Sequence, residues 1–477
     1  MSTDIKLKEE DFLKIGSAIY GTYRIPIDLK PMIDIPEFQR LGDVFQLGST
    51  PSTIPEACHN RKTHSFGVCH LAIKIMLFFA KQQPELQITQ RDIILVGFFS
   101  LYHDSGHCIT SHLMDHMILP ALYKKAQLEQ IQKNKDEKDE KGTDRKCQDR
   151  FSVGSIQEYF NNAEDHEKRA IQLIYFLRAK YKWDFTDQEM KFISDVIQGK
   201  YESNNKVEYP YPEFMYRLIN NTDCGFDVDK CNYIDADMRS VGLRASFDYE
   251  KIINGLRVHP ETKQLWFDIK IKNTLFKLAM DRYNLHQDIY QHATVKKVDS
   301  MYKNLLLEVD EQVNFRKLFT DDQCGWLKLT NGLLWDIQYS DKYSSKAKML
   351  LQRIQTRQFY KMDKGSYYNQ GMKLQRQRSI SVSPERKVID KSSLDDKKSS
   401  SVSNELNKPS ELNESNAEVV VATVSMFGGK ISESQHYFEN MKFYKYNNQT
   451  KQHEYLGKQS WYYLPFYHRQ TYLIYPD

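Results

Sequence analysis

Residues 101–117 read LYHDSGHCITSHLMDHM and directly follow the apolar run IILVGFFS at 93–100. The segment holds four of the chain's 14 histidines and two aspartates. A lone histidine on a helix is more often an ordinary polar surface residue, but His103 and Asp104 are adjacent and lie within a cluster. Imidazole and carboxylate groups on a rigid element are what a transition metal requires. The segment therefore predicts a metal or catalytic site at the end of a buried helix.

The composition is typical of a soluble globular protein. Of the 477 residues, 40% are hydrophobic and 27% are charged, which allows a substantial core. The 67 basic and 63 acidic residues give a net charge of +4, which is too balanced to favour nucleic acid as the main partner. The apolar runs at 72–80 and 93–101 are shorter than the roughly 20 residues that span a bilayer, so we expect no membrane association.

The seven cysteines are scattered and form no CxxC pair. An odd, dispersed set is typical of reduced thiols rather than of a disulfide framework. The first residues, MSTDIKLKEEDF, contain no apolar signal core. We therefore expect a cytoplasmic or nuclear protein, or one found in both compartments.

The chain divides into three regions by pattern. Residues 1–365 are predicted to form a mainly α core that contains a charged, solvated loop near 132–146. Residues 366–417 have too little apolar surface to order themselves and are predicted to be a disordered linker. Residues 418–477 contain strand patterns and are predicted to form a small α+β lobe that packs on the core. Helical periodicity marks the segments 68–83, 91–104, 165–181, 213–223, 272–307 and 346–361.

Helix packing can bring further metal ligands to the site that residues 101–117 predict. His64 lies in HNRKTHSFGV, at the start of another apolar helix, and Asp227 and Asp229 lie in DVDK. One of these two aspartates, together with His64 and the His103–Asp104 pair, would give four ligands and leave coordination positions open for water and substrate.

These motifs also carry a family resemblance. ACHNRKTHS (57–65), LYHDSGH (101–107) and DVDK (227–230) stand in the order found in the HD-domain metal-dependent phosphohydrolases. PEFQRLGDVFQLGS (36–49), DRYNLHQDIYQH (281–292) and LPFYHRQTYLIY (464–475) resemble, more specifically, the SAM- and HD-domain-containing deoxynucleoside triphosphate triphosphohydrolases. The resemblance covers about residues 14–365 and resumes in the C-terminal lobe, with no SAM module expected ahead of the core.

The resemblance implies an HD-domain helical core and a reaction. The reaction is the hydrolysis of a deoxynucleoside triphosphate (dNTP) to deoxynucleoside and inorganic triphosphate, which limits dNTP pools. The implied cofactor is a divalent metal ion, Fe, Mn, Zn or Mg. The implied metal ligands are His64, His103, Asp104 and Asp229. The implied substrate-binding residues are Gln46, Leu47, Arg61, Lys230, Tyr233, Asp237, Arg282 and Tyr290. The residues implied around the attacked phosphate are His107, His112 and Asp115.

The resemblance also implies an activating nucleotide, GTP or a dNTP, and a homo-oligomer, dimer or tetramer. The matching allosteric positions are Lys14, Asp34, Gln39, Arg40, Asp248, Lys270, His292, Arg357 and Lys361. Gly42 and Asp268 replace basic residues of that pattern, which argues against activation by GTP. Assembly is then either constitutive or controlled by other ligands.

One catalytic position departs from the family. Family members pair the counterpart of Asp115 with a further histidine that protonates the leaving 5′-oxygen, and Phe151 in RFSVGS takes that position here. The chain has no histidine between His116 and His166. Loss of a general acid costs about 10²–10⁴ in rate, so we predict slow hydrolysis. The alternatives are a scaffold that binds nucleotide or a protein partner without useful turnover, and an HD phosphodiesterase that acts on another nucleotide or on a phosphorylated monoester.

Overall fold

The computed structural model describes residues 8–141, 165–201, 209–362, 418–425, 441–447, 450, 452–458 and 467–475. The helices are α1 Lys30–Ile33, α2 Pro36–Gln39, α3 Arg61–Gln82, α4 Gln90–Tyr102, α5 Leu119–Lys141, α6 His166–Tyr181, α7 Asp187–Ile197, α8 Glu213–Arg217, α9 Val228–Ser240, α10 Tyr249–Asn254, α11 Lys272–Leu285, α12 Ala293–Glu308, α13 Asp310–Val313, α14 Phe315–Thr320, α15 Gly332–Tyr339 and α16 Ser345–Gln355. Single π-helical turns, Met114–Ile118 and His286–Tyr290, precede α5 and follow α11.

Helices α3 and α4 pack against each other at the centre of the molecule. The Asn60 side chain accepts a hydrogen bond from the Thr63 amide at the start of α3, and Thr89 forms a capping box with Asp92 at the start of α4. α3 is long and apolar enough to cross a bilayer, but 72% of its most apolar window is buried, as expected of a core helix. Because α4 ends at Tyr102, its buried face places the next residue, His103, at a fixed point beside α3.

The strands form three small sheets. β1 (Phe12–Ser17) and β2 (Gly21–Pro26) make an antiparallel hairpin. β3 (Leu256–Val258) and β4 (Leu265–Asp268) make a second hairpin, which is extended by β7 (Lys442–Asn447) and β8 (Gln452–Lys458). β5 (Lys361–Met362), β6 (Glu418–Ser425) and β9 (Tyr467–Tyr475) form the third, in the order β5-β9-β6. The parallel β4–β7 pairing and the fully buried Phe443 join the C-terminal strands to the core.

The predicted fold class, mainly α, is confirmed, and most of the predicted helices are present. The loop predicted near 132–146 is wrong up to Lys141, because α5 continues to that residue. Its Lys, Glu and Gln residues have high helix propensity, and charge alternation alone does not exclude a helix. The helix predicted over 272–307 is interrupted between α11 and α12, and the one over 213–223 ends at Arg217.

The strand predictions for the C-terminal region are confirmed for β6, β7 and β8. In the described part of 418–477 this lobe contributes strands and no helix. The hairpin β1–β2 lies in a region predicted to be mostly helical. The predicted linker 366–417 lies outside the described residues, and the domain boundaries remain a prediction.

Candidate active site

The four predicted metal ligands converge on one point. His64 comes from the first turn of α3, His103 and Asp104 follow α4, and Asp229 lies in the first turn of α9. Nε2 of His64 is 3.2 Å from Asp104 Oδ2 and 3.1 Å from Asp229 Oδ1. Nε2 of His103 is 3.6 Å and 3.5 Å from the same two oxygens. Residues 165 positions apart in the chain are thus close enough to share one ion.

The donor set fits a divalent cation. Nε2 of His64 and Nε2 of His103 are buried and make no hydrogen bond among the described residues. Their other ring nitrogens are held: Nδ1 of His64 is 2.8 Å from Asn232 Oδ1, and Nδ1 of His103 is 2.8 Å from the Ser100 carbonyl oxygen. Such partners fix the tautomer so that Nε2 presents its lone pair to a metal.

The electrostatics of the metal quartet, which consists of His64, His103, Asp104 and Asp229, favour the binding of a cation. Burial alone would lower the pKa of His64, but the neighbouring carboxylates of Asp104 and Asp229 raise it to about 10. Burial raises the pKa of Asp104, but His103 and Arg61 outweigh it and hold that pKa well below its usual range. Both carboxylates are therefore anionic at neutral pH, and the centre attracts a cation.

A second group of histidines lies beside this quartet. His166, the first residue of α6, places Nδ1 2.9 Å from Asp115 Oδ2 and Nε2 3.8 Å from Asp104 Oδ1. Its ring stacks on that of His107 with centroids 3.9 Å apart, and the ring of His112 meets it edge-on at 5.1 Å. His166 thus stands between Asp115 and the metal ligands.

The prediction that Asp115 lacks a histidine partner is therefore wrong. Phe151 itself lies outside the described residues, but the hydrogen bond attributed to a histidine at its position is made by His166. A usable signal was present, because Asp165-His166 begins the helical pattern at 165–181, where Asp165 caps the helix.

The two groups border a cavity of 740 Å³. Its wall includes all eight predicted substrate-binding residues, Gln46, Leu47, Arg61, Lys230, Tyr233, Asp237, Arg282 and Tyr290. His103, Asp104 and Asp229 also line it, as do His112 and His166, whereas His107 is fully buried behind the wall. One cavity thus joins the metal quartet, the second histidine group and the predicted substrate contacts.

The cations of the wall are held by neighbouring side chains. Arg61 donates from Nη1 to Asp104 Oδ2 at 2.5 Å and from Nε to Ser111 Oγ at 3.1 Å. Lys230 Nζ lies 2.5 Å from Asp227 Oδ2, and Arg282 donates from Nε to the Tyr233 hydroxyl. Asp227 is therefore the partner of Lys230, and Asp229 is the aspartate that joins the metal quartet.

A polar edge of the cavity was only partly foreseen from the sequence. Tyr290 donates to Asp237 Oδ2 at 2.5 Å, and Nε2 of His59 is 2.7 Å from Asp237 Oδ1. Oε1 of Gln46 is buried and accepts no hydrogen bond among the described residues. His59 was not among the predicted site residues, and it is hydrogen-bonded to the Asp237 oxygen that Tyr290 does not use.

No family model matches the chain, but curated relatives do. The deoxynucleoside triphosphate triphosphohydrolase SAMHD1 of Bos taurus is 28% identical over 373 residues, which are 74% of this chain and 59% of that protein. The SAMHD1 homolog of Dictyostelium discoideum is 27% identical over 349 residues, 73% of this chain and 59% of that protein. The putative HD domain-containing protein L394 of Acanthamoeba polyphaga mimivirus is 23% identical over 354 residues, 70% of this chain and 66% of that protein.

The resemblance to the HD-domain phosphohydrolase superfamily is confirmed. The chain spans 59% of the length of the first two of these relatives. His103 followed by Asp104 matches the His-Asp pair that gives HD-domain proteins their name.

The predicted allosteric residues lie away from this cavity. None of the nine is among the described residues that line it, and all except Arg40 are exposed. Arg40 is turned inward, where Nη2 donates to the carbonyl oxygens of Ser105 at 2.6 Å and His107 at 2.8 Å. Burial lowers the pKa of Arg40 to about 10. This position does not fit its predicted role in a surface nucleotide site.

Proposed function

We propose that this protein hydrolyses deoxynucleoside triphosphates to deoxynucleoside and inorganic triphosphate, and thereby limits dNTP pools. The observation that carries the proposal is that His103, Asp104, Asp229 and His166 line one cavity, with His64 and Asp115 in contact with them from behind its wall. The relatives from Bos taurus and Dictyostelium discoideum, which are named as deoxynucleoside triphosphate triphosphohydrolases, support the same reaction.

The proposed cofactor is a divalent metal ion, Fe, Mn, Zn or Mg, bound by the four ligands. When bound, such an ion polarises the innermost phosphate and lowers the pKa of a bound water. Asp104 and Asp229 supply the negative charge of the site. His64 and His103 would bind the ion through Nε2 after releasing a proton, because a metal displaces protons from its ligands. The remaining chemistry falls to other residues of the chain.

The triphosphate would lie along the cationic wall. Arg61, Lys230 and Arg282 line the cavity, and guanidinium groups bind phosphate oxygens bidentately. Lys230 exchanges Asp227 for a phosphate oxygen without leaving the wall. Holding the chain of phosphates in this way aligns the innermost phosphorus with the metal quartet.

His166 is the proposed general acid. Water forms a new bond to the innermost phosphorus, the bond between that phosphorus and the sugar 5′-oxygen breaks, and the departing oxygen takes a proton. Asp115 accepts from Nδ1–H of His166, which leaves Nε2 facing the cavity and the metal ligands. A histidine so held can deliver the proton that an alkoxide leaving group requires. His112 lines the cavity beside His166, and His107 packs against both rings from behind the wall.

The sugar would rest against Gln46, Leu47 and Tyr290. The unpaired Oε1 of Gln46 suits the 3′-hydroxyl, which donates a hydrogen bond. Tyr290, fixed by Asp237, occupies the place where a 2′-hydroxyl would sit in the family, so deoxyribose is the proposed preference. We further propose a cytoplasmic or nuclear homo-oligomer, dimer or tetramer, whose assembly is either constitutive or controlled by ligands other than GTP.

Product analysis with each dNTP tests the proposal. The full chain, loaded with Mn²⁺ or Mg²⁺, is expected to release inorganic triphosphate, measured by ion-exchange chromatography, and His103→Ala is expected to abolish the release. Asp187→Ala is the matched control, because the side chain of Asp187 is 95% exposed and lies outside the cavity. Absence of triphosphate with every dNTP over hours would overturn the proposal. Thermal stabilisation by dNTP without turnover would then favour a nucleotide-binding scaffold.

A further inference from the structure

Arg169 contacts both parts of the proposed catalytic centre. Its Nη2 donates to Asp115 Oδ1 at 2.5 Å, while the other oxygen of that carboxylate accepts from His166 at 2.9 Å. Its Nε donates to the carbonyl oxygen of Gly106 at 2.9 Å, two residues after the ligand Asp104. One guanidinium group therefore holds the aspartate that orients His166 and the turn that follows the metal ligand.

The spacing on α6 makes this arrangement possible. His166 and Arg169 are three residues apart in the first turn of the helix, so their side chains leave the same face. They take one oxygen each of the Asp115 carboxylate, which removes its freedom to rotate. Asp115 sits on a single π-helical turn, a feature that is frequent at functional sites.

The burial of Arg169 separates this contact from an ordinary surface ion pair. The side chains of Arg169 and Asp115 are 1% and 2% exposed. The guanidinium carbon of Arg169 lies over the rings of Phe319 and Trp326, at 5.4 Å and 6.0 Å from their centroids. A buried charge pair gives little net stability but enforces one geometry.

A second arginine supports the same turn from the other side. Arg40 donates to the carbonyl oxygens of Ser105 and His107, so three consecutive carbonyl groups of the turn accept from guanidinium groups. Arg40 also lies over Trp326, at 4.9 Å from the ring centroid. The turn between the metal quartet and the second histidine group is thus fixed by buried cations.

We propose that Arg169 is a positioning residue of the reaction, which locks the Asp115 carboxylate so that the His166 ring faces the metal ligands. The inference rests on the proposed function. It assigns to Arg169 no contact with substrate. Its effect is transmitted through Asp115, and a displacement of about 1 Å in a reacting group costs roughly 10² in rate.

Arg169→Met and Arg169→Lys test the proposal in the full-length, metal-loaded protein. Methionine keeps an apolar stem and removes every donor, and lysine keeps the charge with a single donor group. We expect Arg169→Met to lower kcat by about 10²-fold, with KM for dNTP within about threefold and bound metal unchanged. Arg169→Lys should recover part of kcat. Arg178→Met is the matched control on the same helix, since Arg178 pairs with the exposed Asp187, and its kcat should equal that of the wild type.

A double-mutant cycle separates positioning from general destabilisation. If Arg169 acts through His166, adding Arg169→Met to His166→Asn should lower kcat by less than about threefold, because the step it serves is already lost. An additive loss, or a single variant that retains kcat within about threefold, would overturn the inference. The lysine variant makes the same comparison if the methionine variant does not fold. A wild type without triphosphate release would instead refute the proposed function.

Discussion

Replacing His166 by asparagine tests the proposed proton transfer directly. The asparagine amide nitrogen lies near the position of histidine Nδ1, so it retains the 2.9 Å hydrogen bond to Asp115. It cannot deliver a proton from the Nε2 position, 3.8 Å from Asp104 Oδ1. Loss of a general acid costs about 10²–10⁴ in rate. We expect about 10³, equivalent to roughly 4 kcal/mol in the activation barrier, because the metal quartet and the cationic wall remain.

The assay is single-substrate kinetics of triphosphate release, with KM expected within about threefold of wild type because His166 is not part of the cationic wall. Phe151→His is the informative companion variant. Both oxygens of Asp115 are already engaged, by His166 and Arg169, so this substitution should give no gain in kcat. A large gain from Phe151→His, or a His166→Asn enzyme with nearly full kcat, would refute the assignment of His166.

Three further outcomes follow from the geometry. Asp104→Ala should reduce bound metal from about one ion per chain to almost none, measured by mass spectrometry of the dialysed protein, and retention of the metal would contradict the quartet. Asn232→Ala should weaken metal binding by about 10–100-fold in a chelator competition, because Asn232 orients His64, and an unchanged affinity would argue against that role. Burial lowers the pKa of His70 from 6.5 to about 4. Since the unfolded chain then binds the extra proton between these pH values, His70 should contribute a loss of up to about 3 kcal/mol in stability against urea from pH 6.5 to 4. His70→Gln should flatten that dependence, and an equally steep curve would refute it.

The metal quartet was predictable because each ligand belongs to a short local motif. His103 and Asp104 end an apolar helix that is recognisable from composition alone, and the capping residue Asn60 marks the start of the helix that carries His64. The choice of Asp229 over Asp227 was not decided by spacing. It depends on the side-chain pairing with Lys230, which the packed structure supplies.

Two sequence predictions were wrong for different reasons: a strand lies in a region predicted to be mostly helical, and the histidine partner of Asp115 was assigned to the wrong position in the chain. Tyr23 and Ile25 are buried at alternate positions of β2, as a half-buried strand requires, but they fall in a region that was read as helical. The partner of Asp115 was sought near Phe151, whereas His166 lies 51 residues after Asp115. The entropic cost of closing a loop rises only slowly with its length, so the length of the connection does not determine where the chain rejoins the core.

A close approach between the backbone at Gly106 and the first turn of α6 determines where the chain rejoins the core after this connection. A Cβ at Gly106 would lie 1.9 Å from the carbonyl oxygen of His166 and 2.6 Å from the amide nitrogen of Ala170. Only glycine therefore allows the first turn of α6 to rest on the turn after Asp104. That contact brings His166 to Asp115 and brings Arg169 within reach of the Gly106 carbonyl. The glycine between His103-Asp104 and His107 is thus a structural requirement of the second histidine group. The short motif that supplies two metal ligands also fixes where the proposed acid must lie.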